Sequence, residues 1–158
     1  MTDDSEIRAL DDKRDPRASG ETEPLPMVAL SVRQPWAWAL SVGFKNIENR
    51  DWRRTNRDLR FRGTTMIHAG LREEVDAIPV MLEMIAAQGG DRDDALARYR
   101  RERRMGGIVG VMDVVAVVQD HPSVWFTGPY GLVIRNARPV DFQPCRGALG
   151  FFRPVFAG

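Results

Sequence analysis

The chain has 158 residues, 43% of them hydrophobic, which is the size and composition of one soluble domain with a single buried core. No apolar run approaches the roughly 20 residues that a bilayer requires, so the sequence predicts no membrane-spanning helix and no membrane partner. A single cysteine, Cys145, and two histidines, His68 and His121, exclude an internal disulfide and offer no metal-ligand cluster. We therefore expect a cytoplasmic protein without a metal or other cofactor, in keeping with an acidic N-terminus that has no apolar signal region.

Charge is unevenly distributed along the chain. Residues 1–26 contain four basic and eight acidic residues, and the remainder contains 19 basic and 14 acidic residues. Dense charge with low hydrophobicity cannot offset chain entropy, so the sequence predicts a disordered acidic tail over residues 1–24 and one folded domain over residues 25–158. The basic domain favours an anionic partner, although a solvated surface of mixed charge accounts for the same balance.

The domain opens with a predicted strand over residues 27–32 and a short helix. Pro35 has the backbone angle required at the first helical position, and Gly43 suits the left-handed conformation that ends a helix. Between them apolar residues recur at helical spacing, which places Trp36 in the core, with base stacking as its alternative role. Arg33 and Gln34 precede the helix and are expected to present donors to a phosphate, because a helix N-terminus already favours an anion.

A polar segment follows this helix. If residues 47–52 are extended, Glu48, Arg50 and Trp52 share one face, because alternate side chains of a strand point the same way. An acid, a guanidinium and an indole on one face predict a binding wall, in which Trp52 is the preferred residue for stacking on a base.

Lys45 lies three residues before Glu48 and is the only lysine after residue 26. An ammonium can lose its proton when it is desolvated and then act as a base or nucleophile, whereas a guanidinium cannot. The sequence therefore predicts that the two residues pair across a cleft, with Glu48 holding the ammonium or acting as general base. A chance remnant in an arginine-rich chain is the alternative.

The remaining elements alternate between strands and helices. Residues 53–62 predict a loop with five arginines, of which Arg53 and Arg62 are taken as nucleic-acid contacts. The later predicted elements are a strand over residues 64–69, helices over 72–88 and 91–105, and strands over 108–118, 131–134 and 148–155. In these, Pro79 is expected to kink its helix, and Asp113 to need an arginine or backbone donors beside it. The arginines late in the 91–105 helix indicate either a phosphate-contacting face or a solvated surface.

Five or more strands with helices inserted early predict an α+β fold, a small β-barrel of five to six strands with helices packed on its outside. Several motifs, in this order, resemble the ASCH family, whose fold is the PUA-like β-barrel. They are LSVRQPWAWAL, GFKNIENRDW, RGTTMIHA, GGIVGVMDVV, SVWFTGPYGLVIRN and GALGFF. The resemblance covers about residues 27–156 and implies binding of RNA or handling of nucleotides in a cleft beside the first helix.

Some relatives in this family are amidohydrolases of acetylated cytidine, and others are described as ribonucleases. By this resemblance, Lys45 occupies the position of the catalytic lysine and Arg50 that of an anion or base-edge contact. Glu48 stands where those enzymes use a threonine, and a carboxylate does not form the ester intermediate that a hydroxyl forms. Where they use a glutamate after the central strand, this chain offers Asp120, His121 and Ser123. Ser123 is a third candidate catalytic residue, and capping of an aromatic turn is its alternative role.

Three function hypotheses remain at this point. The preferred one is a module that binds RNA or a modified nucleotide through the residues discussed above. These are Arg33, Gln34, Pro35, Trp36, Lys45, Arg50, Trp52, Arg53 and Arg62. The second is a hydrolase of a nucleoside or single-stranded RNA, of the amidohydrolase or ribonuclease type. The third is an adaptor whose acidic tail engages an unknown protein partner or folds over the basic face.

Overall fold

A computed structural model of the protein describes residues 24–156. The predicted tail, residues 1–24, lies outside the described residues except for Pro24. The described elements, in chain order, are β1 (Ala29–Gln34), α1 (Trp36–Ser41), β2 (Ile47–Arg50), a 3-10 helix (Arg57–Arg60), β3 (Gly63–Glu73), α2 (Ala77–Ala87), α3 (Arg92–Glu102), β4 (Gly107–Val118), β5 (Tyr130–Pro144) and β6 (Phe151–Phe152).

Within residues 24–156, the six strands form one mixed sheet in the order β2-β5-β4-β3-β1-β6, curled into a half-barrel. β1 and β3 are parallel, and the other neighbouring pairs are antiparallel. The α+β class is therefore confirmed, and the curled sheet is compatible with a small barrel. None of the α-helices in this part of the chain is long and apolar enough to cross a bilayer.

Irregular pairing between β4 and β5 explains the curl of the sheet. Their register shifts three times, at Ile108/Gly110, Val111/Asp113 and Val114/Ala116. Because an extra residue bends a strand and increases its twist, these shifts turn the sheet around α1. Close approach also requires a glycine here, since a Cβ on Gly110 would lie 2.8 Å from the carbonyl oxygen of Arg138 and 2.8 Å from Cβ of Ser41 in α1.

The short helix α1 is the centre of the core. Its last five residues are buried, which leaves only Trp36 partly exposed. One side of α1 packs on the sheet through Leu40, and the other packs on α2 and α3 through Trp38. The helix is thus enclosed between the sheet and the two longer helices, and its position fixes the loop that leads to β2.

The helix stop predicted at Gly43 is confirmed, and the predicted positions of two prolines are corrected. Gly43 has φ +92° after the end of α1, as the left-handed stop requires. Pro35 was predicted as the first helical residue but is the N-cap, one residue before the helix starts at Trp36. The interior helical position expected for Pro79 was wrong: α2 begins at Ala77, so Pro79 is its third residue, whose N–H needs no intrahelical partner.

Other expectations were also wrong. Among residues 24–156, Asp113 has neither an arginine nor a backbone donor as a hydrogen-bond partner. Its carboxylate accepts from the Thr64 hydroxyl at 2.7 Å and from the Asn136 amide at 2.9 Å. The side chains of the two neighbouring strands, Thr64 of β3 and Asn136 of β5, therefore supply the donors to this half-buried acid. The strand expected over residues 131–134 extends to 15 residues in β5, whereas the one expected over 148–155 shrinks to two residues in β6.

Candidate functional site

A cavity of about 640 Å³ lies beside α1, where the curled sheet remains open. Its walls come from the middle of β1 (residues 31–33), from β2 and the residue after it (48–51), from the outer face of α2, and from residues 148–150 before β6. The sheet order places β2 at one edge and β1 next to the other edge. The cavity therefore occupies the gap that a closed barrel would not have.

The cavity wall contains a buried ion triad of Lys45, Glu48 and Arg50. The Lys45 Nζ lies 2.6 Å from one carboxylate oxygen of Glu48, and an Arg50 Nη lies 2.8 Å from the other. The side chains of Lys45 and Glu48 are only 3% and 7% exposed, respectively. The predicted pairing of these two residues is present, and Glu48 and Arg50 share one face of β2 as predicted.

Backbone contacts hold the triad in place. The Lys45 N–H donates to the carbonyl of Ala39 at 2.9 Å, which ties the loop after α1 back onto the helix. Arg50 also donates to the carbonyl of Ser31 in β1 at 2.9 Å. Because β1 and β2 lie on opposite sides of the gap, this guanidinium bridges the opening of the half-barrel beneath the cavity.

The electrostatics of the triad keep Glu48 ionised. Burial by itself raises the pKa of Glu48, but the charges of Lys45 and then Arg50, with the hydrogen bonds from both, lower the pKa below its ordinary value. Glu48 is therefore a carboxylate at neutral pH. A carboxylate with a lowered pKa is a good hydrogen-bond acceptor and a weak general base.

Trp36 supplies the aromatic wall of the cavity. The Nζ of Lys45 lies 5.3 Å from the centroid of its ring, a cation–π contact. The ring of Trp125 also meets Trp36, edge to face, at a centroid distance of 6.4 Å. Trp36 is half-buried and lines the cavity, so it combines the core position and the exposed ring that were treated as alternatives.

Trp52, the residue preferred for stacking, is placed differently. It packs on Phe151 at a centroid distance of 6.1 Å. The Arg50 Cζ lies 5.5 Å from the centroid of the Trp52 ring, a cation–π contact. It does not line the cavity described above. The strand β2 ends at Arg50, so the alternation that was to align Trp52 with Glu48 stops before it.

Residues 33–35 also separate into different environments. Arg33 is exposed at the rim of the cavity, where it meets Glu74. Gln34 is fully buried, with its Oε1 accepting from Trp38 N at 2.8 Å and its Nε2 donating to the carbonyl of Arg104 at 2.9 Å. The oxygen and the nitrogen of its side-chain amide therefore both have partners inside the protein. Pro35 caps α1 and does not line the cavity.

The remaining predicted residues lie outside the cavity lining. The Ser123 hydroxyl donates to the Asn46 side chain at 2.6 Å and accepts from Trp125 N at 3.2 Å, which matches its alternative role in capping the aromatic turn. Arg53 is exposed. Arg62 is also exposed and donates to the carbonyls of Leu59 and Phe61, at the end of the arginine segment.

At least five residues that line the cavity were not predicted as site residues from the sequence. Glu74 follows β3, Val80 and Met84 project from α2, and Leu149 precedes β6 with 99% of its surface exposed. Asn49 of β2 was assigned to the opposite face, yet it lines the cavity and donates to the Trp125 carbonyl at 2.8 Å. Only Leu149 carried a signal, as an apolar residue within a glycine-flanked turn.

The comparisons with known proteins give no relatives from which to transfer a function. No protein-family model matches the chain, and no curated protein matches it. Within residues 24–156, no group of three or more histidine, cysteine or acidic residues is placed to hold a metal ion. The ion triad, Trp36 and the cavity itself are therefore the features that define the chemistry of the site.

Proposed function

We propose that residues 25–158 form an ASCH domain with a PUA-like barrel, which binds RNA or a modified nucleotide in the cavity beside α1. The motif order in the sequence supports the family, and the curled six-stranded sheet in the described part of the chain is compatible with its fold. The family assignment and the ligand class are both part of this proposal.

One observation carries the proposal: Lys45, Glu48, Arg50 and Trp36 meet in a cavity of about 640 Å³. Small-molecule sites typically measure about 300–1,000 Å³, which suits a nucleobase with its sugar. A base offers a flat ring to Trp36 and polar edge groups to the carboxylate of Glu48 and the amide of Asn49. Stacking with a few fixed polar contacts is the usual way in which an unpaired base is recognised.

The arginine segment supplies the phosphate contacts. Residues 53–62 follow the cavity strand almost directly and carry five arginines. At least Arg53, Arg54 and Arg60 are exposed. A strand of RNA whose base enters the cavity therefore has cations close by for its neighbouring phosphates, and such contacts make affinity fall with salt.

Titration of a fluorescent single-stranded RNA tests this proposal. We expect binding by the full chain and a loss of roughly 1–3 kcal/mol in binding free energy for Trp36→Leu, which removes the stacking surface. Arg92→Gln is the matched control, because Arg92 is exposed and pairs with Glu83 at 2.7 Å away from the cavity lining. Equal affinities of wild type, Trp36→Leu and Arg92→Gln would contradict the proposal.

A hydrolase of a modified nucleoside or single-stranded RNA is the second candidate function. The buried contact of Lys45 with Glu48 favours it, because hydrolases place a nucleophile or base beside an orienting group. The lowered pKa of Glu48 and the position of Ser123 outside the cavity lining favour binding over catalysis. Turnover of acetylcytidine or RNA by the wild type that disappears in Lys45→Ala and Lys45→Arg would establish the enzyme.

A further inference from the structure

The charges that line the cavity are balanced. Three basic side chains, Arg33, Lys45 and Arg50, face the same space as three acidic ones, Glu48, Asp51 and Glu74. Glu48 contacts both Lys45 and Arg50, one through each carboxylate oxygen, and the remaining cation, Arg33, contacts Glu74. A site for a phosphate group normally presents cations or N–H donors that carboxylates do not already occupy. Each basic side chain of the cavity already contacts a carboxylate, and among the described residues only the Nε of Arg50 is a buried donor of these side chains without a partner.

Glu74 has a central place in this balance. One of its carboxylate oxygens accepts from Arg33 and the other from the Trp36 indole N–H, both at 3.3 Å. Its own backbone N–H donates to the carbonyl of Gln34 at 2.7 Å, which fixes the residue beside β1. The Glu74 carboxylate therefore pairs with the Arg33 guanidinium at the rim and also positions the ring of Trp36.

We propose that Glu74 is a specificity-determining residue, which makes the cavity select an uncharged ring over the same ring carrying a terminal phosphate. This inference rests on the proposed function, because it concerns the ligand of the same cavity. The carboxylate acts in two ways: it repels a second anion at the rim, and it pairs with the guanidinium of Arg33, the exposed cation there. The phosphates of a longer strand lie instead on the arginine segment, residues 53–62.

The apolar rim supports an uncharged ligand. Leu149, which is 99% exposed, together with Val80 and Met84 of α2, lines the same cavity as Trp36. Apolar side chains gain free energy by covering a ring and lose it when they desolvate a phosphate. The contacts available at the opening therefore favour a heterocycle and disfavour its phosphorylated form.

Binding of the four common nucleosides and their 5′-monophosphates to the full chain tests the inference, by NMR titration to millimolar ligand. We expect at least one nucleoside to bind the wild type as tightly as its monophosphate or more tightly. In Glu74→Gln the ratio of affinities should move toward the monophosphate by about fivefold, because Arg33 loses its partner. Glu83→Gln is the matched control, since Glu83 pairs with Arg92 outside the cavity lining, and it should leave the ratio unchanged.

A second substitution tests whether Arg33 is the group that binds the phosphate once Glu74 is replaced. In the double variant Arg33→Gln/Glu74→Gln the gain for monophosphates should disappear, because the unpaired cation is gone. A wild type that prefers a monophosphate by tenfold would overturn the inference, as would an unchanged ratio in Glu74→Gln or RNA binding without binding of any nucleoside. In each of these cases the proposed function survives. Absence of binding to nucleosides, monophosphates and RNA alike would overturn both proposals.

Discussion

The ammonium of Lys45 lies 2.6 Å from a carboxylate oxygen of Glu48, and the two side chains are 3% and 7% exposed. Such a pair is not a simple source of stability, because removing two charges from water costs several kcal/mol per ion. Arg50 completes the arrangement by occupying the second carboxylate oxygen at 2.8 Å. Loss of either cation leaves a buried carboxylate only partly compensated.

We therefore predict that Lys45→Met lowers the free energy of unfolding by about 3 kcal/mol, as measured by urea denaturation. Arg92→Met removes a cation from an exposed pair with Glu83, and its effect should stay within about 1 kcal/mol. Similar losses in the two variants would show that burial does not strengthen the Lys45 contact.

The lowered pKa of Glu48 predicts a pH dependence with a definite sign. Because the folded pKa lies below the ordinary value of 4.5, the charged form contributes stability that is complete above about that pH. That contribution is lost as the pH falls through the folded pKa. Stability should therefore decline on acidification below about pH 4.5.

Chemical denaturation at a series of pH values between neutrality and strong acid measures this decline. Glu48→Gln should be less stable at neutral pH and show a flatter acid limb, because the amide does not titrate. Glu83→Gln, whose carboxylate is exposed, should keep the wild-type slope. A Glu48→Gln variant with the full wild-type slope would assign the acid sensitivity to other carboxylates.

Much of the site could be predicted because its parts are close in sequence. Lys45, Glu48 and Arg50 lie within one loop and one short strand, so their pairing follows from spacing and strand geometry. Glu74 could not be found this way, since it meets Arg33 only after the parallel pairing of β1 with β3 brings the two strands together. Contacts made by strand pairing leave no local periodicity to detect.

The length of β5 was missed for a related reason. Residues 135–144 carry polar groups and two prolines, Pro139 and Pro144, which are typical of a loop. In the part of the chain that the structure describes, β2 pairs only with residues 130–133, so β4 is the one neighbouring strand of the rest of β5. Proline and polar residues are tolerated on an edge strand, because no second strand requires their N–H groups.

Because α1 lies close to the sheet, we predict that position 110 does not tolerate a side chain. A Cβ at this position would lie 2.8 Å from the Arg138 carbonyl oxygen and 2.8 Å from Cβ of Ser41, so the backbone or the helix must shift. Gly110→Ala should therefore destabilise the protein by about 1–3 kcal/mol. Gly70→Ala is the control, because its Cβ would meet Ser31 Oγ at 3.7 Å, an ordinary contact.

Thermal unfolding of the two alanine variants measures this difference. Equal melting temperatures would mean that the packing of α1 against β4 relaxes without cost. A lower melting temperature for Gly110→Ala, together with weaker ligand binding, would show that the position of α1 on the sheet affects the cavity. The loop that holds Lys45 starts at the end of that helix.

The arginine segment predicts a particular response to salt. If Arg54 and Arg60, both exposed, contact phosphates, each contact releases counterions when RNA binds. Replacing either with glutamine should weaken binding to RNAs of different sequence by a similar factor, and should reduce the slope of log affinity against log salt by about 0.7, the value for a single strand. Trp36→Leu should weaken binding without changing this slope, because stacking releases no counterions. A slope that is reduced by Trp36→Leu but unchanged by Arg54→Gln and Arg60→Gln would show that the cavity itself, and not residues 53–62, holds the phosphates.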